Sequence, residues 1–504
     1  MEKKFITELI STDFKEWETG DKVILDAGTG SGKTTFCIDI LGRYAKEKNA
    51  KLLYICNRTN LKNQVLKAVF AADLNDTIYV TTYQSIQSTL YRGDNKLEEY
   101  DYLISDECHF FFSDASFNRQ TDLSYRYVMG FQGVTLFASA TANKFFDFLE
   151  DSGIVKKQNR YISKREYGYV NDLTFYRKAD LVELLNRIIT DTKKDKILVF
   201  LNSTERMKEM HTIFGESAEY IYSKSNREMK KHLKLSSLKN EQFEARILFA
   251  TKVIDNGINF CDSDLNHIFC ELVDADGIIQ AFGRKRCVPH EHNECHFYIR
   301  ERTAGEIRGM LNRLEPELIA QKIYRENPDR FRREYSDSDL NMNIFRPSFD
   351  KTDPELVFNR CRYVKNQMDY ALYSSILASS FREYILNDVF PELREKEKEN
   401  DIKGSNSLIV KGFIEKNVEK NLYEEEKKQL KEIFQFLNLD IRKRGHKNLK
   451  ILNATIEEEF GVDYPYRIFD ADSDGKKYRD TKLLNDDGTV NPHRYQRFWR
   501  IESR

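Results

Sequence analysis

Proline is scarce in this sequence, with eight residues in 504, and no stretch rich in proline, glycine and serine interrupts it. A long flexible linker is therefore not expected, and the late segments should pack rather than trail. Long apolar runs are missing too. None approaches the ~18 residues that a membrane-crossing helix needs. The first residues, Met1-Glu2-Lys3-Lys4, lead into mixed sequence without the apolar core of a secretory signal. The eight cysteines are scattered, which argues against a disulfide framework, so a cytoplasmic protein is the expectation. Excess charge of either sign is also lacking: 80 basic and 81 acidic residues leave a net charge of −1. A protein that coats nucleic acid would be strongly basic. Any nucleic acid bound here must sit in a localised groove.

What is present is enough chain for about two to four domains, with 40% hydrophobic and 32% charged residues. Short runs rich in Val, Ile and Leu recur at 23–25, 52–56, 78–81, 102–104 and 135–138, then at 197–201, 247–250 and 267–270. Helix-length polar segments separate them, the pattern of parallel sheets covered by helices. The first five runs are assigned to one sheet and the last three to another, with a break near 153–172. Residues 301–504 read differently. They hold long charged stretches of helical character, such as 391–400 and 423–437, and turn signals near 461–465 and 485–488.

Chemistry enters at Ala27-Gly28-Thr29-Gly30-Ser31-Gly32-Lys33-Thr34, between a strand and an apolar stretch that can open a helix. Glycines let backbone N–H groups approach phosphate, and the helix N-terminus adds a favourable dipole. Lys33 is expected to reach the β- and γ-phosphates and Thr34 to ligate Mg²⁺, with Thr35 beside them. Such a loop needs an acidic partner on a neighbouring strand, and Asp106-Glu107 follows the run at 102–104. Asp106 is the candidate Mg²⁺ holder and Glu107 the candidate base for the attacking water.

Asp106-Glu107-Cys108-His109 resembles the DExH box of superfamily 2 helicases, and Ala27-x-x-Gly30-x-Gly32-Lys33-Thr34 is similar to that superfamily's motif I. Ser139-Ala140-Thr141 resembles motif III. Asn57-Arg58 resembles motif Ia, and Thr81-Thr82-Tyr83-Gln84 a motif Ib segment. Val199-Phe200-Leu201-Asn202-Ser203 resembles motif IV. Ala250-Thr251 through Asp255, Gly257 and Asn259 is similar to motif V, and Gln280-Ala281-Phe282-Gly283-Arg284-Lys285-Arg286 to motif VI. The resemblance covers residues 20–290. It implies that Arg284 and Arg286 act as arginine fingers across a cleft, that Gln280 helps to position water, and that Asp255 and Gly257 contact the nucleotide. It implies a coupling role for His109, Ser139 and Thr141, and a strand held by Arg58, Thr82 and Thr251. Three features depart from common patterns. The two motif VI arginines are two apart rather than three, so either could be the finger. Residues 1–26 contain no glutamine, so the adenine-reading Q motif is absent, with Trp17 the stacking candidate in its place. The box reads Asp-Glu-Cys-His, not Asp-Glu-Ala-Asp.

Other signals weigh less. Cys287, His290, His292, Cys295 and His296 fit no common zinc spacing. Asp470 to Gly475 imitates the start of a calcium loop but lacks the closing glutamate. Basic residues interleave with aromatics at 442–447 and 494–500, which suits nucleic-acid contact or a packed terminal hairpin.

The resulting expectation is an α/β protein with two RecA-like parallel-sheet lobes, at 1–155 and 156–302. A mainly helical accessory region at 303–504 follows, with a winged-helix-like end. The expected function is an ATP- and Mg²⁺-dependent nucleic-acid helicase or translocase, DNA favoured and RNA open. A protein partner is expected to meet the C-terminal region. The competing expectation is an ATP-switched binding module without processive unwinding.

Overall fold

The computed structural model describes residues 5–28, 30–92, 99–163, 165, 167–222, 229, 242–251, 260–285, 294–335, 344–347, 356–400, 405–436, 447–460, 463–485 and 487–503. The chain divides into two compact units, residues 1–174 with 194–398, and residues 175–193 with 399–504.

In the first unit, six parallel strands form one sheet: β1 (Lys22–Ala27), β2 (Leu52–Cys56), β3 (Ile78–Thr82), β4 (Tyr102–Asp106), β5 (Val134–Ser139) and β6 (Arg160–Ser163), in the order β3-β2-β4-β5-β1-β6. Both faces are covered, which is why the strands read as unbroken apolar runs rather than alternating ones. On β1, Val23 and Leu25 enter one core cluster while Ile24 enters the other. The register sets Asp26 opposite Ser139 and Asp106 opposite Ala138. The C-terminal ends of β1, β5 and β4 therefore lie side by side, where open α/β sheets place ligand sites.

A second sheet contains β7 (Val170–Tyr176), β8 (Lys196–Phe200), β9 (Glu219–Ile221), β10 (Ile247–Ala250), β11 (Leu265–Cys270) and β12 (Cys295–Arg300). Its order is β15-β7-β12-β11-β8-β10-β9, where β15 is Glu397–Lys398 after a short ribbon of β13 (Phe345–Pro347) and β14 (Leu356–Phe358). These are the two RecA-like lobes. The five runs assigned to the first lobe all lie in the first sheet, and the three assigned to the second all lie in the other.

Three details differ from the sequence expectation. Residues 160–163, numbered with the second lobe, supply the sixth strand of the first sheet, because β6 pairs with β1. Residues 391–400 are not one long helix. A 3₁₀ turn, Pro391–Lys396, leads into β15, whose residues pair with β7. Residues 303–398 group with the lobes and not with the rest of the tail. Their helix Arg360–Ala378 buries Cys361 in the first lobe's core and is capped by Asn359, which is buried against Thr121.

The second unit contains the helices Ser405–Lys416, Glu424–Phe436 and Lys447–Phe460, with β16 (Asn421–Leu422) after the first. Then come β17 (Tyr466–Phe469) and β18 (Trp499–Ser503), antiparallel in the order β16-β18-β17. Val410, Ile414, Leu430, Leu452, Ile456, Ile468 and Ile501 make its core. No helix among the described residues is long and apolar enough to cross a membrane.

Candidate active site

β1 delivers its C-terminal end into the glycine loop. Gly30 and Gly32 have φ of 74° and 85°, a left-handed backbone that an L side chain adopts only with strain. Gly32 leads directly into the helical turn Lys33–Thr35. The loop is braced from within, since Ser31 Oγ donates to the Gly28 carbonyl at 2.7 Å. It is braced from outside too, where the Ile6 N–H donates to the Ser31 carbonyl at 3.0 Å. Lys33 Nζ donates to the carbonyls of Ala27 at 2.5 Å and Gly28 at 3.0 Å. Burial lowers its pKa, against the pull of Glu107 and Asp106. Thr34 and Thr35 are exposed on the first turn. Thr29 lies outside the described residues.

The acidic pair closes the other side. Asp106 is buried at the end of β4 and accepts from Tyr54 OH at 2.8 Å and from the Glu107 N–H at 3.0 Å. Glu107 has φ of 49°, a strained setting for a glutamate and a mark of functional turns. Its Oε2 accepts from Ser139 Oγ at 3.2 Å and lies 3.3 Å from His109 Nδ1. Neighbouring carboxyls cannot both ionise easily, and their surroundings split them. Burial, then the Glu107 charge, push Asp106 up to about 6. Burial alone would raise Glu107, but the His109 hydrogen bond and charge, with Lys33 and Arg284, bring it down to about 2.

Ser139 ends β5 and joins this pair to the second lobe. It accepts from the Thr141 N–H at 3.1 Å and lies 3.1 Å from His109 Nδ1. Gln280, from the second lobe, donates to Thr141 Oγ1 at 2.5 Å and meets His109 Nε2 at 3.3 Å. Gln280 rides on the helix Ala275–Phe282, whose N-cap Asp274 accepts from the Gly277 N–H at 2.9 Å. A Cβ on Gly277 would stand 2.8 Å from that carboxylate. Just beyond the helix, Arg284 is buried, and its Nε has no hydrogen-bond partner among the described residues. A buried guanidinium with an unmet donor, close enough to depress Glu107, fits a phosphoryl oxygen. Arg286, Asp255 and Gly257 lie outside the described residues.

The expected strand-holding residues sit at the ends of other strands, already engaged. Arg58 makes a two-pronged bond to Asp114, at 2.7 and 3.1 Å. Thr82 caps the helix Tyr83–Tyr91, accepting from the Ser85 N–H at 3.1 Å. Gln84 ties this turn to the Asn57 carbonyl at 3.1 Å. Thr251 follows β10 and donates its N–H to the Ile221 carbonyl at 3.1 Å.

Sequence reasoning missed three contributors, none with a motif of its own. Tyr54 reads as a core strand residue, yet its hydroxyl holds Asp106. Arg165, from the segment where periodicity lapses, donates to the Ala140 carbonyl from Nε at 3.1 Å and from a terminal nitrogen at 2.5 Å. Its Cγ lies 3.4 Å from where a Cβ of Gly28 would be. Asp276 is raised to about 6 by burial and then by the Asp274 charge, against Lys144, His109 and Arg165. Trp17, the stacking candidate, is half-buried and packs edge-on against Phe14 and Phe36. Of the zinc candidates, Cys287, His290 and His292 lie outside the described residues. Cys295 is buried, and His296 bonds Asp172 at 2.8 Å and stacks on His267.

Residues 1–143 match the family model described as the type III restriction enzyme res subunit, and residues 180–286 match the helicase conserved C-terminal domain. No curated protein matches in sequence. Among solved structures, S. cerevisiae Dbp5 bound to RNA and ADP BeF3 is similar at 13% identity and a TM-score of 0.41, over 56% of this chain and 79% of that one. A single-residue variant of Dbp5 with the same ligands gives 13% and 0.42 over the same shares.

Proposed function

We propose, from the premise that this chain is a superfamily 2 helicase with two RecA-like lobes, that it is a DExH-type motor which hydrolyses ATP between those lobes to move along nucleic acid, with DNA as the favoured substrate. The observation that carries the motor reading is the bonded line from Glu107 through Ser139 and His109 to Gln280, which joins the hydrolytic carboxylate to the second lobe. A site that only held ATP would need no such connection.

In this reading the loop at Ala27–Thr35 holds the phosphates, and Lys33 leaves the Ala27 and Gly28 carbonyls for them. Thr34 and Asp106 would hold Mg²⁺, which supplies neutralising charge at the phosphate oxygens. Glu107, kept ionised, takes a proton from the attacking water. Arg284 offers its unmet donor to the developing phosphoryl charge from the second lobe. Arg286, Asp255 and Gly257 are proposed to flank the same cleft. Gln280 and Thr141 register whether the cleft is closed. Arg58, Thr82 and Thr251 are proposed to hold the strand, which for Arg58 means exchanging Asp114 for a phosphate. The DNA preference rests on the missing Q motif. The second unit adds one observation in its favour: helix, strand, helix, helix, strand, strand, with the middle strand last in sequence, is the connectivity of a winged helix, and its β17–β18 connection carries Lys476, Lys477, Arg479 and Arg494.

The test is ATP hydrolysis with and without single-stranded DNA, duplex DNA and RNA, with Lys33→Ala and Glu107→Gln as controls. Strong stimulation by DNA, abolished in both variants, is the expected result. Stimulation by RNA alone would replace DNA as the substrate. Tight ATP binding with negligible turnover on all three would establish a switched binding module instead.

A further inference from the structure

Away from the ATP site, the helices Ala304–Glu326 and Arg360–Ala378 of the first unit pack together and leave an open cavity of about 610 Å³. Facing rows of side chains make its walls. Tyr363, Gln367 and Tyr370 stand along one helix; Gln321, Lys322 and Arg325 stand along the other. The two helices are clamped beside it. Arg362 grips Glu317 with two bonds of 2.9 and 2.8 Å, and Asn366 adds one of 2.6 Å to the same carboxylate. The cavity is therefore held in shape by a half-buried polar clamp.

Three properties of its lining ask for a ligand. Gln321 is only 1% exposed, yet its Nε2 has no hydrogen-bond partner among the described residues. Unmet buried amide donors are costly, and an acceptor in the cavity would satisfy them once the side chain turns toward it. Tyr370, 37% exposed, offers an aromatic ring, and Tyr363 stands two turns away, about 10 Å along the helix. The Tyr363 hydroxyl is fixed by a 2.7 Å bond from Gln367. At the rim, Lys322 and Arg325 bring positive charge, shared in part with Glu326, 3.9 Å from Lys322.

A flat ring carrying hydrogen-bond acceptors and joined to an anion meets all three demands at once. A neutral sugar lacks the anion. An apolar ligand without acceptors leaves Gln321 unsatisfied. We propose that this cavity is a nucleotide subsite distinct from the ATP site, with a base stacked on Tyr370 and accepting from Gln321, and its phosphate on Arg325 and Lys322. The nucleotide comes either from a free nucleoside monophosphate or from a single strand crossing these helices; the second source rests on the nucleic-acid reading above.

The test uses the full chain. Bromouridine monophosphate and a bromodeoxyuridine-containing single strand are each photo-cross-linked to it, the modified peptide is mapped, and their affinities are measured for wild type, Tyr370→Ala and Gln321→Leu. The expected result is a cross-link within 363–370. Tyr370→Ala should weaken binding about 5- to 100-fold, the effect of one lost stack. Gln321→Leu should bind about tenfold more weakly while unfolding at the same temperature or higher, since an apolar group of like size removes the unmet donors. A merely structural glutamine would lose stability instead. Labelling by the monophosphate identifies a free ligand; labelling by the strand alone identifies a passing one. Unchanged affinities and no cross-link in this peptide would overturn the subsite. Hydrolysis measured on the same samples keeps the two readings apart. If nucleic acid stimulates turnover in wild type but never labels 363–370, the subsite falls and the motor stands. If nothing stimulates turnover, the motor falls and the monophosphate arm still decides the subsite.

Discussion

Glu107 carries the site's backbone strain and, in the proposed mechanism, its chemistry. Its left-handed backbone costs about 1 kcal/mol or more, and the turn keeps its carboxylate on Ser139 and His109. Glu107→Gln should lower kcat by about 10²- to 10⁴-fold, the range of a lost general base, with little change in ATP affinity; steady-state kinetics and equilibrium binding check this. Glu107→Gly should abolish turnover as well, since it removes the carboxylate, and steady-state hydrolysis checks this. Asp106 sets the pH dependence. Below about 6 it is protonated and cannot hold a cation, so kcat/KM for Mg·ATP should fall on the acid side. The Tyr54 hydroxyl favours the ionised form, so Tyr54→Phe should move that limb to higher pH. A limb that stays put would remove Tyr54 from the account. The linkage to folding has opposite signs for the two acids. The raised Asp106 contributes stability that is present below its ordinary value and lost as pH rises through about 6. The lowered Glu107 contributes stability that is present above its ordinary value and lost as pH falls through about 2.

Two helices transmit what the residues do. Ala275–Phe282 presents Gln280 to Thr141 and His109, and Gln280→Ala should reduce nucleic-acid-stimulated hydrolysis far more than basal hydrolysis. Equal losses in both rates would make Gln280 part of the chemistry rather than of the coupling. Arg360–Ala378 is anchored by Asn359, which accepts from the Arg362 N–H at 3.2 Å and donates to Thr121 Oγ1 at 3.1 Å. Asn359→Ala removes the cap and a buried bond to Thr121, whose hydroxyl keeps the Asn118 carbonyl, so unfolding should cost about 1–2 kcal/mol less. The first helix was legible as a motif because Gln280 and Arg284 are close in sequence. The second was not. Charged and apolar residues share its faces, and nothing local announces that Cys361 enters another element's core.

Across the whole molecule the charges nearly cancel, so grip on nucleic acid should depend on nucleotide state rather than on bulk attraction. The Glu107→Gln chain, able to bind ATP but not to turn it over, should hold a labelled single strand more tightly with ATP than without. Fluorescence anisotropy at fixed salt measures this. Equal affinity in both states would sever ATP from strand grip and defeat the motor reading.

The two sheets, the tight glycine loop after β1 and the acidic pair at the end of β4 were readable from the chain because each depends on neighbours in sequence: a buried strand's composition, a glycine's backbone freedom, a carboxylate at a strand end. The tertiary structure decided the rest. It placed Ser139 beside Asp26 by register, put Tyr54 on Asp106, moved 160–163 into the first sheet, left an unmet donor on Arg284, and grouped 303–398 with the lobes. Each of these is a contact between elements far apart in the chain, and such contacts are chosen by packing and by the need to pair buried polar groups, which no local pattern records.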